Sequence, residues 1–396
     1  MFRHICSVFL RCIFCLGFAV SSVPQTLASI DAESEFTGAL NHRVETEALR
    51  LIDVHGAPGV VVAITFQGKH QVFNFGVASR QTGAPVANDT LFEIGAISET
   101  FSGLLAAYAH QRGMLSLFDE AGDCLPAMKD SLLGRVSVFE IATHARRFEL
   151  FLSNKGKAQD PFMSDLTEWK ARHSSGTSHL HPDLGALLLG RVTSEAFNMP
   201  YAAAIRSVLL PQLGLAQTFL EVPAGAQESY AQGYTVDDKP VRQRLTPQTF
   251  AANGIKTTAG ELIRYVEAHL TRELLDPEMQ QAIEMALTGY ARVGPFTRTL
   301  MWEQYAYPVS LERLTEGSSI RTKGEDELAV RLNPPFPPRE KVLLSKAGAT
   351  DGFTAYVAFV PIRRTGIALL VNKSIPEAEL LGAAYRILEM GQDPQP

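Results

Sequence analysis

Apolar runs typical of strands lie at both ends of the chain, and helical patterns fill its middle. Val60 to Phe66 and Gln71 to Val77 are apolar, β-rich runs joined by Gln67-Gly68-Lys69, which predicts a hairpin. Near the C-terminus three further runs predict strands, namely Val342 to Ser345, Thr354 to Val360 and Ile367 to Val371. Because an isolated hairpin is only marginally stable, we expect the two groups to pair into one antiparallel sheet.

The remaining segments carry the periodicity of amphipathic helices. One stripe ends at His55-Gly56 and consists of Leu40, Val44, Ala48, Leu51 and Ile52. A second stripe opens the middle of the chain (Ile97, Phe101, Leu104, Leu105 and Tyr108), and a closing helix is predicted over Ala378 to Met390. We therefore expect an α/β protein of the α+β two-domain kind. Residues 29–95 and 320–396 would form the sheet domain, flanked by helices, and residues 96–319 a mainly helical insertion.

The first residues have the pattern of a secretory leader. A short basic start is followed by the apolar run Ile5 to Val23, and Thr26-Leu27-Ala28 supplies small residues before Ser29. The run is short and contains Arg11, so a cleaved leader over residues 1–28 is favoured over a membrane anchor. We expect export to the periplasm, with no stable membrane span after cleavage.

The cysteine count and the net charge exclude several kinds of site and partner. Three cysteines lie in the leader, which leaves Cys124 alone in the mature chain and excludes an internal disulfide or a cysteine metal site. The formal net charge of −6 and the absence of a basic cluster make nucleic acid an unexpected partner. We expect a monomer without a cofactor or metal, binding a small-molecule or peptidoglycan-derived ligand.

Five segments occur along the chain in the order in which one known family has them. Leu91 to Phe101 resembles the segment of class C (AmpC-type) β-lactamases in which a Ser-x-x-Lys motif opens a buried helix. Ser345 to Pro361 resembles the Lys-Thr-Gly strand of that family and its continuation. Further similar segments are Ser229 to Tyr234, Asn253 to Thr258 and Val371 to Pro376. The resemblance covers roughly residues 35 to 392. It implies the β-lactamase/transpeptidase-like fold, with an all-helical insertion and the active-site cleft at the domain boundary.

The resemblance puts Ala96 at the nucleophile position and Glu99 at the lysine position. On a helix, Ser-x-x-Lys holds the ammonium one turn from the hydroxyl, where it assists deprotonation. Here a methyl group and a carboxylate stand in those places. Ser98 is no replacement, because two residues along a helix correspond to a rotation of about 200°. We expect Glu99 instead to form an ion pair with Lys346, the motif lysine that remains.

The other two motifs are also altered. His181 and Asp183 stand at the Tyr-x-Asn positions, where a hydrogen-bonded surface pair is favoured over a new general base. The third motif reads Lys346-Ala347-Gly348, without the threonine hydroxyl. The resemblance still implies an oxyanion hole formed by the backbone N–H groups of Ala96 and Ala349, because side-chain replacement leaves backbone donors in place.

Four residues are candidates for ligand binding at this site: Ala347, Gly348, Asp351 and Glu377. The last aligns, as Leu380 does, with family positions that hold a substrate carboxylate. Since five catalytic side chains are replaced together, we interpret the chain as a catalytically inactive member of the family. One alternative is an active β-lactamase or related serine hydrolase or esterase. Another is a different hydrolase that uses Glu99, His181, Asp183 and Asp351 as acid–base groups or metal ligands.

Overall fold

The computed structural model describes residues 25–143, 184–323 and 329–389, with side chains for 38–143, 184–320 and 329–389. The chain divides into two units, Met1–His42 and Arg43–Pro396. In the first unit the described residues belong to the long helix that ends at His55. The second unit contains every other described element. Within the described residues, no helix has the length and hydrophobicity needed to cross a membrane.

The described helices follow one another as α1 (Gln25–His55), α2 (Ser98–Gln111), α3 (Ala121–Cys124), α4 (Val138–Ala142), α5 (Leu184–Phe197), α6 (Tyr201–Ala204), α7 (Leu210–Gln212), α8 (Phe250–Asn253), α9 (Ala259–Leu270), α10 (Pro277–Leu287), α11 (Leu311–Lys323) and α12 (Glu377–Glu389). A 3₁₀ turn, Gly95–Ile97, leads directly into α2. The predicted helix ends at His55 and Met390 are reproduced to within one residue.

The described strands are β1 (Gly59–Phe66), β2 (Lys69–Gly76), β3 (Phe92–Glu93), β4 (Thr218–Phe219), β5 (Gly233–Tyr234), β6 (Pro240–Val241), β7 (Lys256–Thr257), β8 (Gly289–Val293), β9 (Phe296–Arg298), β10 (Glu303–Ala306), β11 (Val330–Phe336), β12 (Val342–Ala349), β13 (Thr354–Val360) and β14 (Thr365–Val371). Nine of them form one sheet in the order β11-β8-β9-β10-β12-β13-β14-β1-β2. Strands β3, β7 and β4 form a small second sheet.

The two ends of the chain meet in the large sheet, as the sequence predicts. Strand β14 pairs antiparallel with β1, with Val371 opposite Val60 and Thr365 opposite Phe66. The β1–β2 hairpin turns at Gln67 and Gly68, whose φ angles of 50° and 82° suit a tight two-residue turn. Strands β13 and β14 are buried along their whole length, because helices α9 and α12 pack against this part of the sheet.

Strands β8 to β10, which lie in the range assigned to a mainly helical domain, and strand β11 were not predicted from the sequence. Strands β8 to β10 are short, and charged residues such as Arg292, Arg298 and Glu303 interrupt their apolar pattern. Strand β11 is longer but mostly exposed. The conformation of these strands depends on pairing with neighbours that are distant in sequence. The domain boundaries drawn from the sequence remain a prediction.

Helix α2 is the centre of the helical part of the molecule. Its residues from Ser98 to Ala109 are all buried, and α5, α8 and α10 pack around it. A helix that is buried on all sides must find partners for its polar side chains, because an unpaired buried polar group is costly. The contacts of these polar residues therefore define the centre of the candidate site.

Candidate active site

Two glycines allow the turn before α2 to lie directly on strand β12. Gly95 has a φ of +51°, which favours glycine, and a Cβ added there would lie 2.5 Å from the Ala349 nitrogen. A Cβ added at Gly348 would lie 2.0 Å from the Ile94 carbonyl oxygen and 2.8 Å from the Ala96 nitrogen. The backbone nitrogens of Ala96 and Ala349, which the resemblance implicates in an oxyanion hole, therefore both lie at this contact.

Glu99 and Lys346 form a buried ion pair across the same contact, as predicted. The Lys346 Nζ donates to Glu99 Oε2 at 2.6 Å, and the two side chains are only 6% and 5% exposed. Glu99 lies in the first turn of α2, and Lys346 lies on β12. The pair joins α2, which follows the nucleophile position, to the strand that carries the third motif.

The neighbouring serines on α2 are engaged away from this ion pair. The Ser98 hydroxyl accepts a hydrogen bond from the Ile255 N–H at 3.1 Å, which agrees with the rotation expected from its place on the helix. The Ser102 hydroxyl donates to the Ala251 carbonyl at 2.7 Å and lies 2.6 Å from the Tyr201 hydroxyl. Both serines are completely buried.

The ligand-binding candidates occupy different environments. Ala347 is buried on β12, whereas Asp351 is exposed in the turn that joins β12 to β13. Glu377 begins α12 and accepts a hydrogen bond from Ser318 Oγ at 3.0 Å, while Leu380 is fully buried on the same helix. The structure thus joins the turn, Glu99 and the 346–349 strand segment into one site. The hydrogen bond described for Glu377 links it instead to Ser318 on α11.

His181 and Asp183 lie outside the described residues, so their predicted pairing is not tested. Among the described residues, no three histidine, cysteine or acidic side chains converge as a metal site would require. At Glu99 itself, the Lys346 ammonium at 2.6 Å would compete with a bound cation. The described part of the site therefore supplies an ammonium–carboxylate pair and backbone amides.

Sequence reasoning missed a buried polar cluster beneath the turn. Glu93 is 1% exposed, and its Oε1 accepts hydrogen bonds from the Tyr230 hydroxyl at 2.5 Å and the Gln243 N–H at 2.8 Å. Lys256 faces Glu93 in the β3–β7 pair and donates to two backbone carbonyls. Burial lowers the pKa of Lys256 and raises the pKa of Tyr230 well above its usual range. These contacts hold the strand from which the turn begins.

Asn372 is a second structural residue whose role the sequence did not reveal. Its Oδ1 accepts from the Gly59 N–H at 2.7 Å, and its Nδ2 lies within 3.0–3.2 Å of the carbonyls of Val77, Ala78 and Gln232. One amide side chain thereby joins the end of β14 to three other segments. Asn372 and the two neighbours of Glu93, Tyr230 and Lys256, all belong to segments that carried the family resemblance. That resemblance was the signal in the sequence that could have pointed to them.

A turn leading into a buried helix, packed against a strand that carries a lysine, is the arrangement of the penicillin-recognising serine hydrolases. The comparisons agree with this class. A beta-lactamase from Lysobacter lactamgenus is 37% identical over 352 residues, covering 89% of this chain and 91% of that protein. A solved class C beta-lactamase matches with a TM-score of 0.83 at 37% identity, over 90% of this chain and 98% of the other. A beta-lactamase/D-alanine carboxypeptidase from Pseudomonas syringae matches with a TM-score of 0.83 at 36% identity, over 90% of this chain and all (100%) of the other.

The beta-lactamase family model matches residues 44–392. The chain belongs to the beta-lactamase family and is a member of its class C, AmpC-type branch. Its fold is the β-lactamase/transpeptidase fold, so the predicted family and fold class are both confirmed.

Proposed function

We propose that this protein is an exported, non-acylating member of the class C β-lactamase family that binds a small carbonyl-containing ligand, derived from the cell wall or otherwise present in the periplasm. The observation that carries the proposal is the pairing of Glu99 with Lys346 next to an alanine at the nucleophile position. Acyl transfer needs a nucleophilic oxygen and a group that activates it. Ala96 has no such oxygen.

The other residues of α2 offer no replacement for the missing chemistry. The hydroxyls of Ser98 and Ser102 are buried and bonded to other segments. Glu99 brings a negative charge where a serine alkoxide would need a cation. Because the residues of such catalytic units act together, several simultaneous losses should abolish acylation.

Ligand binding is supported by the backbone of the site. Gly95 and Gly348 keep the turn and β12 in close contact, and the Ala349 and Ala96 backbone nitrogens are among the nearest atoms at that contact. Backbone donors of this kind bind a carbonyl oxygen whether or not a nucleophile stands beside them.

The periplasmic location is part of the same proposal. It rests on the leader pattern of residues 1–28 and on the single cysteine, Cys124, of the expected mature chain.

Active hydrolysis is the second candidate, because several similar proteins carry the name beta-lactamase. It would require a nucleophile at another position, because the Ala96 side chain is a methyl group. Incubation of the folded protein with a fluorescent penicillin, followed by intact-mass measurement, separates the two candidates. We expect no label and no added mass, whereas a stable adduct on any serine would overturn the proposal.

Two variants serve as controls for this experiment. Ala96→Ser alone should remain inactive towards a chromogenic cephalosporin, since its hydroxyl would lie beside the Glu99 carboxylate. The triple variant Ala96→Ser/Glu99→Lys/His181→Tyr should become acylated, because the backbone donors are independent of these side chains. Brisk hydrolysis by the single variant would reveal a working base. A folded triple variant that never acylates would show that β-lactams cannot enter.

A further inference from the structure

The charge at the centre of the site is already compensated within the protein. The Lys346 ammonium and the Glu99 carboxylate are 2.6 Å apart, and both side chains are almost completely buried. Together they carry no net charge. A free ammonium in this position would attract a carboxylate ligand. Here the Glu99 carboxylate is in direct contact with the Lys346 ammonium and already neutralises its charge.

A second carboxylate at this site would meet two penalties. It would lose its hydration, and the cation that the described residues place here, Lys346, is already paired with Glu99. It would also be repelled by Glu99. Asp351, exposed two residues beyond Ala349, adds another negative charge near the end of β12. Ala347 contributes only a methyl group in place of a donor.

A neutral carbonyl ligand meets neither penalty. An ammonium has three N–H donors, and the bond to Glu99 Oε2 uses one of them. The amide nitrogens of Ala96 and Ala349 lie at the same contact between the turn and β12. An amide or ester oxygen can accept from such donors without bringing a charge into a buried setting.

We propose that Glu99 determines the ligand specificity of this site, so that it accepts uncharged amide or ester carbonyl compounds and rejects carboxylates. This inference rests on the proposed binding function and names the ligand class. Its structural basis is the Glu99–Lys346 pair, which sets the charge that a ligand meets.

The test uses two probes of nearly equal shape. Phenylacetylglycinamide ends in a neutral amide, and phenylacetylglycine ends in a carboxylate. Affinities are measured by titration, and the shifts of the Ala96 and Ala349 amide NMR signals locate the binding. Like charges at a buried site are strongly unfavourable, so the wild-type protein should bind the amide at least ~10-fold more tightly. Equal or preferential binding of the carboxylate, or no shift with either probe, would overturn the inference.

Glu99→Gln removes the negative charge with little change in shape, and should move the affinity ratio towards the carboxylate by ~10-fold or more. The matched control is Glu273→Gln, the same change at an exposed ion pair with Arg364, which should leave the ratio unchanged. If Glu99→Gln fails to fold, the wild-type ratio still decides. Acylation by penicillin is a separate readout, so a non-acylating protein that prefers carboxylates would refute this inference and leave the proposed function standing.

Discussion

The Glu99–Lys346 pair makes a strong prediction about stability. At a separation of 2.6 Å, the direct attraction is about 6 kcal/mol for an effective dielectric constant of about 20. Much of this is offset by the dehydration of the two groups. Removing one partner is different, because the other charge then stays buried without compensation, at a cost of about 3–5 kcal/mol. We therefore expect Glu99→Gln to lower the free energy of unfolding by that amount.

Replacing both charged groups should undo most of the loss. In the double variant Glu99→Gln/Lys346→Met no charge remains to be buried, and its stability should return to near that of the wild type. Urea denaturation of the wild type, the two single variants and the double variant gives the coupling energy directly. Glu273→Gln, at an exposed pair, should stay within about 0.5 kcal/mol of the wild type.

A loss of less than about 1 kcal/mol in a folded Glu99→Gln protein would refute the reasoning. It would mean that the pair is hydrated in solution, as surface pairs are. A double variant no more stable than the single variants would also contradict it, since the cost would then come from packing.

Three further predictions concern other parts of the chain. Gly348→Ala should lower the free energy of unfolding by about 3 kcal/mol, because the new Cβ would meet the backbone at 2.0 Å. The control is Gly260→Ala, where an added Cβ would lie 3.8 Å from its nearest atom, and this variant should be neutral or stabilising. Thermal unfolding of both variants and the wild type measures the difference. Burial lowers the pKa of His269 from 6.5 to about 4. The unfolded chain therefore binds a proton between these pH values that the folded chain does not. Stability should fall by about 3 kcal/mol as the pH drops through this window. The loss should shrink in His269→Phe when urea denaturation is compared at pH 7 and pH 4, and an unchanged pH dependence would contradict the assignment. Finally, the exported protein should begin near Ser29 by intact-mass measurement, and a cytoplasmic product that retains Met1 would contradict export.

Local pattern determined much of the architecture. Two apolar runs separated by Gln67-Gly68-Lys69 predicted the first hairpin, and both turn residues adopt the positive φ angles that such a turn needs. The three C-terminal strands and the closing helix followed from their own periodicity. Joining of the chain ends in one sheet also followed, because neither strand group buries its apolar faces alone.

Helical geometry also determined part of the site. The spacing of Ala96, Ser98 and Glu99 predicted that Ser98 faces away from the other two side chains. In the structure Ser98 indeed bonds to Ile255, whereas Glu99 pairs with the strand lysine. Motif order was sufficient to identify Lys346 as the partner, although it lies 247 residues further along the chain.

The tertiary structure decided what depends on neighbours that are distant in sequence. Strands β8 to β11 have weak patterns of their own and form because adjacent strands supply their hydrogen bonds. Glu93 and Asn372 are ordinary polar residues in the sequence. Only their burial and hydrogen bonds show that Glu93 holds β3, the strand before the turn, and that Asn372 holds the end of β14. The depth of the Glu99–Lys346 pair belongs here too. Sequence spacing determines which charges meet, whereas the surrounding packing determines how much water remains between them, and therefore how strongly they interact.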